Sequence, residues 1–347
     1  MNDGTHWAGL GFRLAAVLLA LMVTTVILVL AGAPPLEAYR LILVGSLGSM
    51  RNLANVLVAW APLLLATSGL LITFSAGLWN IGIEGQIALG AILTTGVLRT
   101  FETSTVSPAL VIGLSILAGA LGGALWAALI GALKTFGGVN EIFGGLGMNF
   151  VATALTIWLI FGPWKRPGTG SMSGTEPFPQ HLWLPQIGDL RLSWHALVVA
   201  VVGIALVYLL LNGTHFGLRL KAVGKNARAA FLMGIPTSGY MMLAFLLCGA
   251  LAGLAGALQV TAVYHRLIPA ISSGYGFLGL MVAMLVNYQA LWAAPVAFFF
   301  AALNIGSIQL PLVLKLDSLL SGVMQGTLVL FVLAMEGVRQ HFMTRRH

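Results

Sequence analysis

The fold is decided by residues 53–98, which read LANVLVAWAPLLLATSGLLITFSAGLWNIGIEGQIALGAILTTGVL. Glu84 is the only charged residue in this stretch. A helix needs about 20 consecutive apolar residues to cross the hydrocarbon core of a bilayer. The stretch is therefore long enough for two membrane-spanning helices. Residues 80–86, which combine polar side chains with two glycines, lie at the start of the second one.

Composition predicts the same class for the whole chain. Of its 347 residues, 59% are apolar and 7% are charged, whereas about 25% of the residues of a soluble domain are charged. A water-soluble fold could not bury so much apolar surface. The sequence therefore predicts an all-α polytopic membrane protein in contact with lipid. The basic residues behind the net charge of +8 lie singly or in short groups between apolar runs, so no nucleic-acid partner is expected.

Charge-free apolar runs predict about ten membrane-spanning helices. The first run ends in small residues, as a signal peptide does, but its twenty uncharged residues exceed the usual apolar core of about 7–15. We interpret this run as a retained helix. The predicted helices cover residues 14–33, 53–74, 79–98, 109–133, 142–162, 196–213, 240–262, 271–288, 291–310 and 318–336.

The positions of Lys and Arg predict the orientation. Four basic residues fall within residues 219–228, and the C-terminal tail is also basic. Dense basic clusters beside spanning helices favour the cytoplasmic side. We therefore expect both termini inside, a cytoplasmic loop at residues 214–238 and an extracytoplasmic loop at residues 163–194. The expected location is the bacterial inner membrane.

The chain shows a loose internal symmetry. Predicted helices two to five and seven to ten form two four-helix blocks, and the single helix between them gives the blocks opposite orientations. The second helix of each block contains a glycine-interrupted segment, at residues 80–86 and 273–279. Paired broken segments in inverted halves are typical of a transport path.

Four polar residues in or beside the apolar runs have to be assigned either a structural or a functional role. A charge at the bilayer centre costs about 2.5–3.5 kcal/mol on insertion scales, so Glu84 either faces a polar path or caps a helix end. Asn140 and Glu141 are best explained as an N-cap and a first-turn acid at the start of a helix. Asn149 lies two turns further along the same helix, where it either joins helices or lines a path.

The sequence contains no motif that indicates catalysis. Residues 217–226 superficially resemble a phosphate-binding loop, but the glycine spacing is wrong and Asn226 follows the lysine where Ser or Thr is needed. The histidines do not have metal-ligand spacing. We therefore expect no catalytic residues, no metal and no cofactor. The glycines at positions 249, 253 and 256 predict close helix packing, with a hinge as the alternative.

Four motifs in order resemble permeases of the nucleoside branch of the ribose-type ABC importer family. Residues 78–86 (LWNIGIEGQ) resemble F-N-I-G-x-E-G-Q, and residues 138–149 contain the G-V-N-E…N element. Residues 218–235 resemble R-A-V-G-x-N…A-A…G-I, and residues 274–279 resemble G-Y-G-F-x-G. The matching region runs from about residue 50 to residue 335.

The resemblance implies the permease subunit of an importer with nucleosides as cargo. It implies three protein partners: a cytoplasmic ATPase that hydrolyses ATP, a second permease in a homo- or heterodimer, and an extracytoplasmic binding protein. The residues expected to line or gate the path are Asn80, Glu84, Gln86, Asn149, Tyr275 and Phe277. Those expected to couple to the ATPase are Arg219, Lys221, Gly224, Asn226, Ala229, Ala230 and Gly234, in a short helix near residues 226–233 and its approach.

Other functions remain open from the sequence. Residues 284–289 depart from the family pattern and leave the cargo uncertain between nucleosides and simple sugars. A secondary transporter in which Glu84 exchanges a proton is a second alternative. A membrane enzyme is disfavoured because the apolar runs contain no nucleophile with a partnered base.

Overall fold

All regular secondary structure in the part of the chain that the structure describes is helical. The computed structural model describes residues 18–19, 21–30, 32–168, 174–287 and 289–315, together with 322–323, 325–327, 329–331 and 334. The helices are α1 (Leu21–Leu30), α2 (Pro35–Leu47), α3 (Met50–Ser75), α4 (Ile83–Phe101), α5 (Pro108–Thr135), α6 (Glu141–Phe161), α7 (Trp194–Gly213), α8 (His215–Lys225), α9 (Ala227–Leu232), α10 (Thr237–Leu258), α11 (Tyr275–Leu285), α12 (Ala290–Ser307) and α13 (Gln309–Leu314).

The predicted all-helical membrane class is confirmed, but the described residues do not reach ten spans. Within them, six helices are long and apolar enough to cross a membrane, or seven if the bent pair α1–α2 counts as one span. The shortfall has a physical cause in α4 and α11. Helix α4 is rich in polar residues and glycine and lies largely buried, and the 11 residues of α11 reach only about 16 Å. The predicted helices at 14–33 and 318–336 lie partly and mostly outside the described residues.

The chain forms two compact units. One comprises Met1–Val56 with Phe299–His347, and the other comprises Leu57–Phe298. In the smaller unit, α1 and α2 are joined with a bend of 111° at the prolines 34 and 35. Its apolar core includes Leu28, Ile42 and Leu310.

The centre of the larger unit is built by α4, α5 and α10, which pack through glycines. A Cβ atom on Gly123 would collide with the carbonyl oxygen of Gly249, and one on Gly253 would collide with that of Gly119. A Cβ atom on Gly256 would likewise meet the carbonyl of residue 87 in α4. The prediction that glycines 249, 253 and 256 form packing surfaces is confirmed, because only glycine permits backbones this close.

Two segments in the larger unit interrupt the helices. Residues 76–82 separate α3 from α4, so α4 begins at Ile83, four residues later than the predicted helix. Residues 265–274 separate the π-helical extension of α10, Gln259–Tyr264, from α11. Single π-helical turns occur frequently at functional sites. We call residues 76–82 the first broken segment and residues 265–274 the second broken segment.

The segment predicted to be a cytoplasmic loop, residues 214–238, contains two helices. Helix α9, Ala227–Leu232, matches the short helix expected near residues 226–233, and Asn226 caps it by accepting a hydrogen bond from the Ala229 N–H at 3.0 Å. Helix α8 precedes it and has no counterpart in the prediction. The threonine at position 214 caps α8 through the Gly217 N–H at 3.2 Å.

Candidate functional site: a buried polar junction

Glu84 joins the start of α4 to the start of α11, directly after the two broken segments. It is the second residue of α4 and is 9% exposed. Its Oε1 accepts a hydrogen bond from the backbone N–H of Phe277 at 2.9 Å, and Gly276 packs directly against the carboxyl group. The first N–H groups of a helix lack partners within that helix. Glu84 therefore caps α11 from a different helix.

The junction is closely packed around Gly276. A Cβ atom there would lie 2.8 Å from both Glu84 Oε1 and Ile83 Cγ2. The glycine therefore lets the start of α11 approach the start of α4. Tyr275 and Phe277, both expected to line the path, flank Gly276. Tyr275 is buried, whereas the Phe277 side chain is 44% exposed. The hydrogen bond from Phe277 to Glu84 comes from the backbone N–H.

Asn80 and Gln86 pair their side-chain amides. Asn80 Nδ2 donates to Gln86 Oε1 at 3.1 Å, and Gln86 Nε2 donates to Asn80 Oδ1 at 2.9 Å. Asn80 Nδ2 also lies 3.1 Å from Cys248 Sγ. Both amides are fully buried, and reciprocal bonding satisfies polar groups that would otherwise be costly to bury.

The amide pair lies beside the middle of a long apolar helix. Cys248 is near the centre of the 28-residue span Thr237–Tyr264, and Asn80 contacts it directly. The polar first broken segment is therefore held at mid-length of a helix that can cross a membrane. Irregular backbone at membrane depth is tolerated where protein buries it or where it lines a cavity.

Asn149 binds the backbone on both sides of the start of α4. Its Oδ1 accepts from the Gly85 N–H at 2.8 Å, and its Nδ2 donates to the Ile81 carbonyl at 2.9 Å. These contacts support the interpretation that Asn149 joins two helices, here α6 and the start of α4.

The start of α6 matches its prediction. Asn140 caps α6 by accepting a hydrogen bond from the Ile142 N–H at 2.9 Å, so the N-cap prediction is confirmed. Glu141, in the first turn, forms an ion pair with Lys134 at 2.6 Å.

A second polar group lies at the π-helical turn, and the sequence analysis missed it. Gln259 Nε2 donates to the Ile271 carbonyl at 3.1 Å and to Ser273 Oγ at 3.2 Å. The Tyr264 hydroxyl lies 3.0 Å from the same Ser273 oxygen. Gln259 is the only carboxamide within residues 240–264, which is the signal that could have identified it. These contacts hold the second broken segment in the way that the Asn80–Gln86 pair holds the first.

The loop between α6 and α7 packs on the second broken segment. The Thr175 N–H donates to the Leu267 carbonyl at 2.9 Å, and the Phe178 N–H donates to the His265 carbonyl at 2.8 Å. The Trp183 ring stacks on the His265 ring with centroids 3.7 Å apart. Burial lowers the pKa of His265 to about 4, and the positive charge of Arg191 acts in the same direction. The imidazole is therefore neutral at pH 7.

The residues expected to couple to an ATPase lie on α8, α9 and the turn that follows. Gly224 packs against the start of the first broken segment, because a Cβ atom on Gly77 would lie 2.9 Å from the Gly224 carbonyl. Lys221 Nζ donates to Asn212 Oδ1 at 2.9 Å, and Arg219 Nη1 lies 3.4 Å from the Tyr240 hydroxyl. The remaining expected residues are Asn226 as the α9 cap, with Ala229, Ala230 and, in the left-handed conformation, Gly234.

Apolar helices around broken segments that meet at a buried polar junction define a polytopic membrane transport protein. Residues 52–333 match the family described as "Branched-chain amino acid transport system / permease component", and the chain belongs to this family.

The chain is also similar in sequence to three curated permease proteins. The chain is 31% identical to the glucose ABC transporter permease protein TsgB13 of Haloferax volcanii, covering 96% of this chain and 90% of the relative. It is 27% identical to the guanosine ABC transporter permease protein NupP of Bacillus subtilis, covering 94% and 93%. It is 24% identical to the nucleoside ABC transporter permease protein NupB of Lactococcus lactis, covering 85% and 82%. The resemblance drawn from the motifs is confirmed.

Proposed function

We propose that the chain is the membrane-spanning permease subunit of an ABC importer that moves nucleosides, driven by ATP hydrolysis in a partner subunit. The observation that carries this proposal is the junction at Glu84, where the N-termini of α4 and α11 meet beside two broken segments. Broken helices whose N-termini converge are a common construction of substrate sites in transporters. The path or gate comprises Asn80, Glu84, Gln86, Asn149, Tyr275 and Phe277.

The cargo class follows from the relatives and from the motifs together. Similarity to guanosine and nucleoside permeases agrees with the sequence motifs at residues 78–86 and 274–279. One observation favours simple sugars as the second candidate, namely the 31% identity to a glucose permease. Both cargo classes present hydroxyl groups, which buried amides and a carboxylate can bind.

The partners proposed are a cytoplasmic ATPase, a second permease subunit and an extracytoplasmic binding protein. The ATPase would dock on α9 and the turn that follows, where Phe231, Leu232 and Met233 are strongly exposed. The Gly77–Gly224 contact supports a route from that surface to the first broken segment. Replacing Leu232 with Glu should reduce co-purification of the ATPase, and Ile187→Glu, at an exposed position in the loop between α6 and α7, tests whether any new charge has this effect.

The proposed topology keeps the number of membrane crossings and the orientation that the sequence predicts. The chain would cross the bacterial inner membrane about ten times, with both termini in the cytoplasm and with two inverted four-helix blocks. Each block would supply one broken segment to the junction. A cysteine introduced at the exposed position 234 should react with a membrane-impermeant reagent only when the cytoplasmic side is accessible, and one introduced at position 188 only from the opposite side.

The function is tested by ATPase activity in lipid. The chain would be co-expressed with the proposed ATPase and binding-protein partners and assayed against a panel of nucleosides and sugars. Stimulation by a nucleoside is the expected result, and stimulation only by a sugar would select the second candidate. If no ATPase co-purifies and a proton gradient alone drives uptake, the chain is instead a secondary transporter.

A further inference from the structure

One face of α6 is directed at the first broken segment. Glu141, Gly145 and Asn149 follow one another at a spacing of four residues, so they lie on the same side of the helix. The exposed apolar residues of α6, among them Phe143 and Phe150, are on its other sides. Gly145 and Asn149 contact backbone atoms of residues 81–85.

Asn149 takes the place of a helical hydrogen bond. In an uninterrupted helix the Gly85 N–H would donate to the carbonyl of residue 81, four positions earlier. Here the Gly85 N–H donates instead to Asn149 Oδ1 at 2.8 Å, and the Ile81 carbonyl accepts from Asn149 Nδ2 at 2.9 Å. The next bond, from Gln86 N–H to the carbonyl of Gly82, is present at 3.2 Å. The side chain of Asn149 is thus inserted into the hydrogen-bond ladder at one position, a recognised cause of helix interruption.

The other two residues of the face allow and fix this approach. A Cβ atom on Gly145 would lie 2.6 Å from the backbone nitrogen of Gly82 and 3.2 Å from its Cα, so only glycine fits. Glu141 is paired with Lys134 at 2.6 Å, and the backbone of Trp79 helps to lower the pKa of its carboxyl group. Contacts to backbone atoms hold the path of the chain itself and not merely one side chain.

We infer that Asn149 and Gly145 are positioning residues, through which α6 keeps residues 80–82 out of the helix that begins at Ile83 and thereby aims Asn80 at α10 and Glu84 at α11. An amide is needed at position 149 because the bridge requires one acceptor and one donor on the same planar group. Without the bridge, the Ile81 carbonyl and the Gly85 N–H are free to bond to each other and extend α4 by one turn. That turn would rotate Asn80 away from its partners. The inference relies on the proposed function only where it treats this segment as part of a transport path.

The chain contains its own reporter for the test. Cys248 is its single cysteine, is fully buried, and lies 3.1 Å from Asn80 Nδ2. The measurement is the rate at which a membrane-permeant maleimide labels Cys248 in the folded chain in lipid. No ATPase, binding protein or cargo is needed, so failure of the proposed function would leave this experiment unaffected.

Two variants on α6 should expose the thiol. Asn149→Leu keeps the size of the side chain and removes both bonds, and Gly145→Ala introduces the atom that would lie 2.6 Å from Gly82 N. Each should raise the labelling rate about tenfold or more, since losing a buried hydrogen bond or forcing a backbone shift changes a local opening equilibrium by at least that factor. Gly147→Ala is the matched control, because no atom lies within 4 Å of its Cβ position, and it should label at the wild-type rate.

Thermal midpoints measured on the same samples separate local opening from unfolding. The inference requires faster labelling well below the midpoint, with Asn149→Leu and Gly145→Ala both affected. Labelling of both variants at the rate of the wild type and of Gly147→Ala would overturn it. If Asn149→Leu does not fold, the comparison of Gly145→Ala with Gly147→Ala decides the result.

Discussion

The glycine contacts between α5 and α10 make the strongest quantitative prediction. In Gly123→Ala the new Cβ atom would collide with the Gly249 carbonyl oxygen and would lie 2.6 Å from both Cα and N of Gly253. These neighbours are backbone atoms in the middle of helices, so none can rotate away as a flexible side chain would. The matched control is Gly113→Ala in the same helix, where nothing lies within 4 Å of the added atom.

The magnitude follows from the geometry. Ordinary contacts between carbon atoms are about 3.5–4.0 Å, so α5 and α10 must separate locally by roughly 1 Å. Overpacking of this kind costs about 1–3 kcal/mol. Replacing glycine by alanine in a helix also gains up to about 1 kcal/mol of helix propensity. Both variants receive that gain, so their difference of about 1–3 kcal/mol isolates the steric cost.

A thermal assay with a thiol-reactive dye would measure the difference in stability between the two variants. The dye fluoresces when it reaches Cys248, which is fully buried in the folded chain, so the midpoint reports the opening of this helix pair. Gly123→Ala should lower the midpoint by about 1–4 °C relative to Gly113→Ala at the same scan rate. Equal midpoints for the two variants would show that the helices are not packed backbone to backbone.

Two further predictions use the same assay. Because the pKa of His265 is lowered to about 4 in the fold and is about 6.5 when unfolded, the unfolded chain binds more protons between these values. The stability that neutral His265 contributes is thus present above pH 6.5 and lost as the pH falls toward 4. His265→Asn should reduce this loss and the exposed His181→Asn should not, and an unchanged profile in His265→Asn would refute the assignment. Separately, Glu84→Ala should destabilise the chain by about 1–3 kcal/mol by leaving the Phe277 N–H without its acceptor, whereas Glu176→Ala, at an exposed position, should change stability by no more than about 0.5 kcal/mol. Equal effects of these two variants would mean that Glu84 does not cap α11.

Several features could be predicted from local sequence because their causes are local. Apolar run lengths predicted most of the long helices, and the glycines at 249, 253 and 256 predicted close packing that the structure confirms. Asn226 and Asn140 are N-caps in the structure, as the position of a short polar side chain before a helix indicates. The family could be recognised for the same reason, since its motifs are short and continuous.

The candidate site was only partly predictable. Glu84 had two interpretations in the sequence, and its contact with the N–H of Phe277 joins residues 193 positions apart. Gln259 was missed because its partners, Ile271 and Ser273, lie beyond a turn that periodicity does not reveal. A polar side chain that lines a path and one that joins two helices have the same pattern in one dimension.

By itself, the sequence determined that this chain is an all-helical membrane protein, where most of its long apolar helices lie, and to which family of permeases it belongs. These properties depend on composition, run length and short motifs. Only the tertiary structure decided that Glu84 caps α11, that Asn149 replaces the 81–85 hydrogen bond, and that Asn80 pairs with Gln86 beside Cys248. The physical reason is that a buried polar group must find its partner wherever the packed helices place one, and that partner can lie anywhere along the chain.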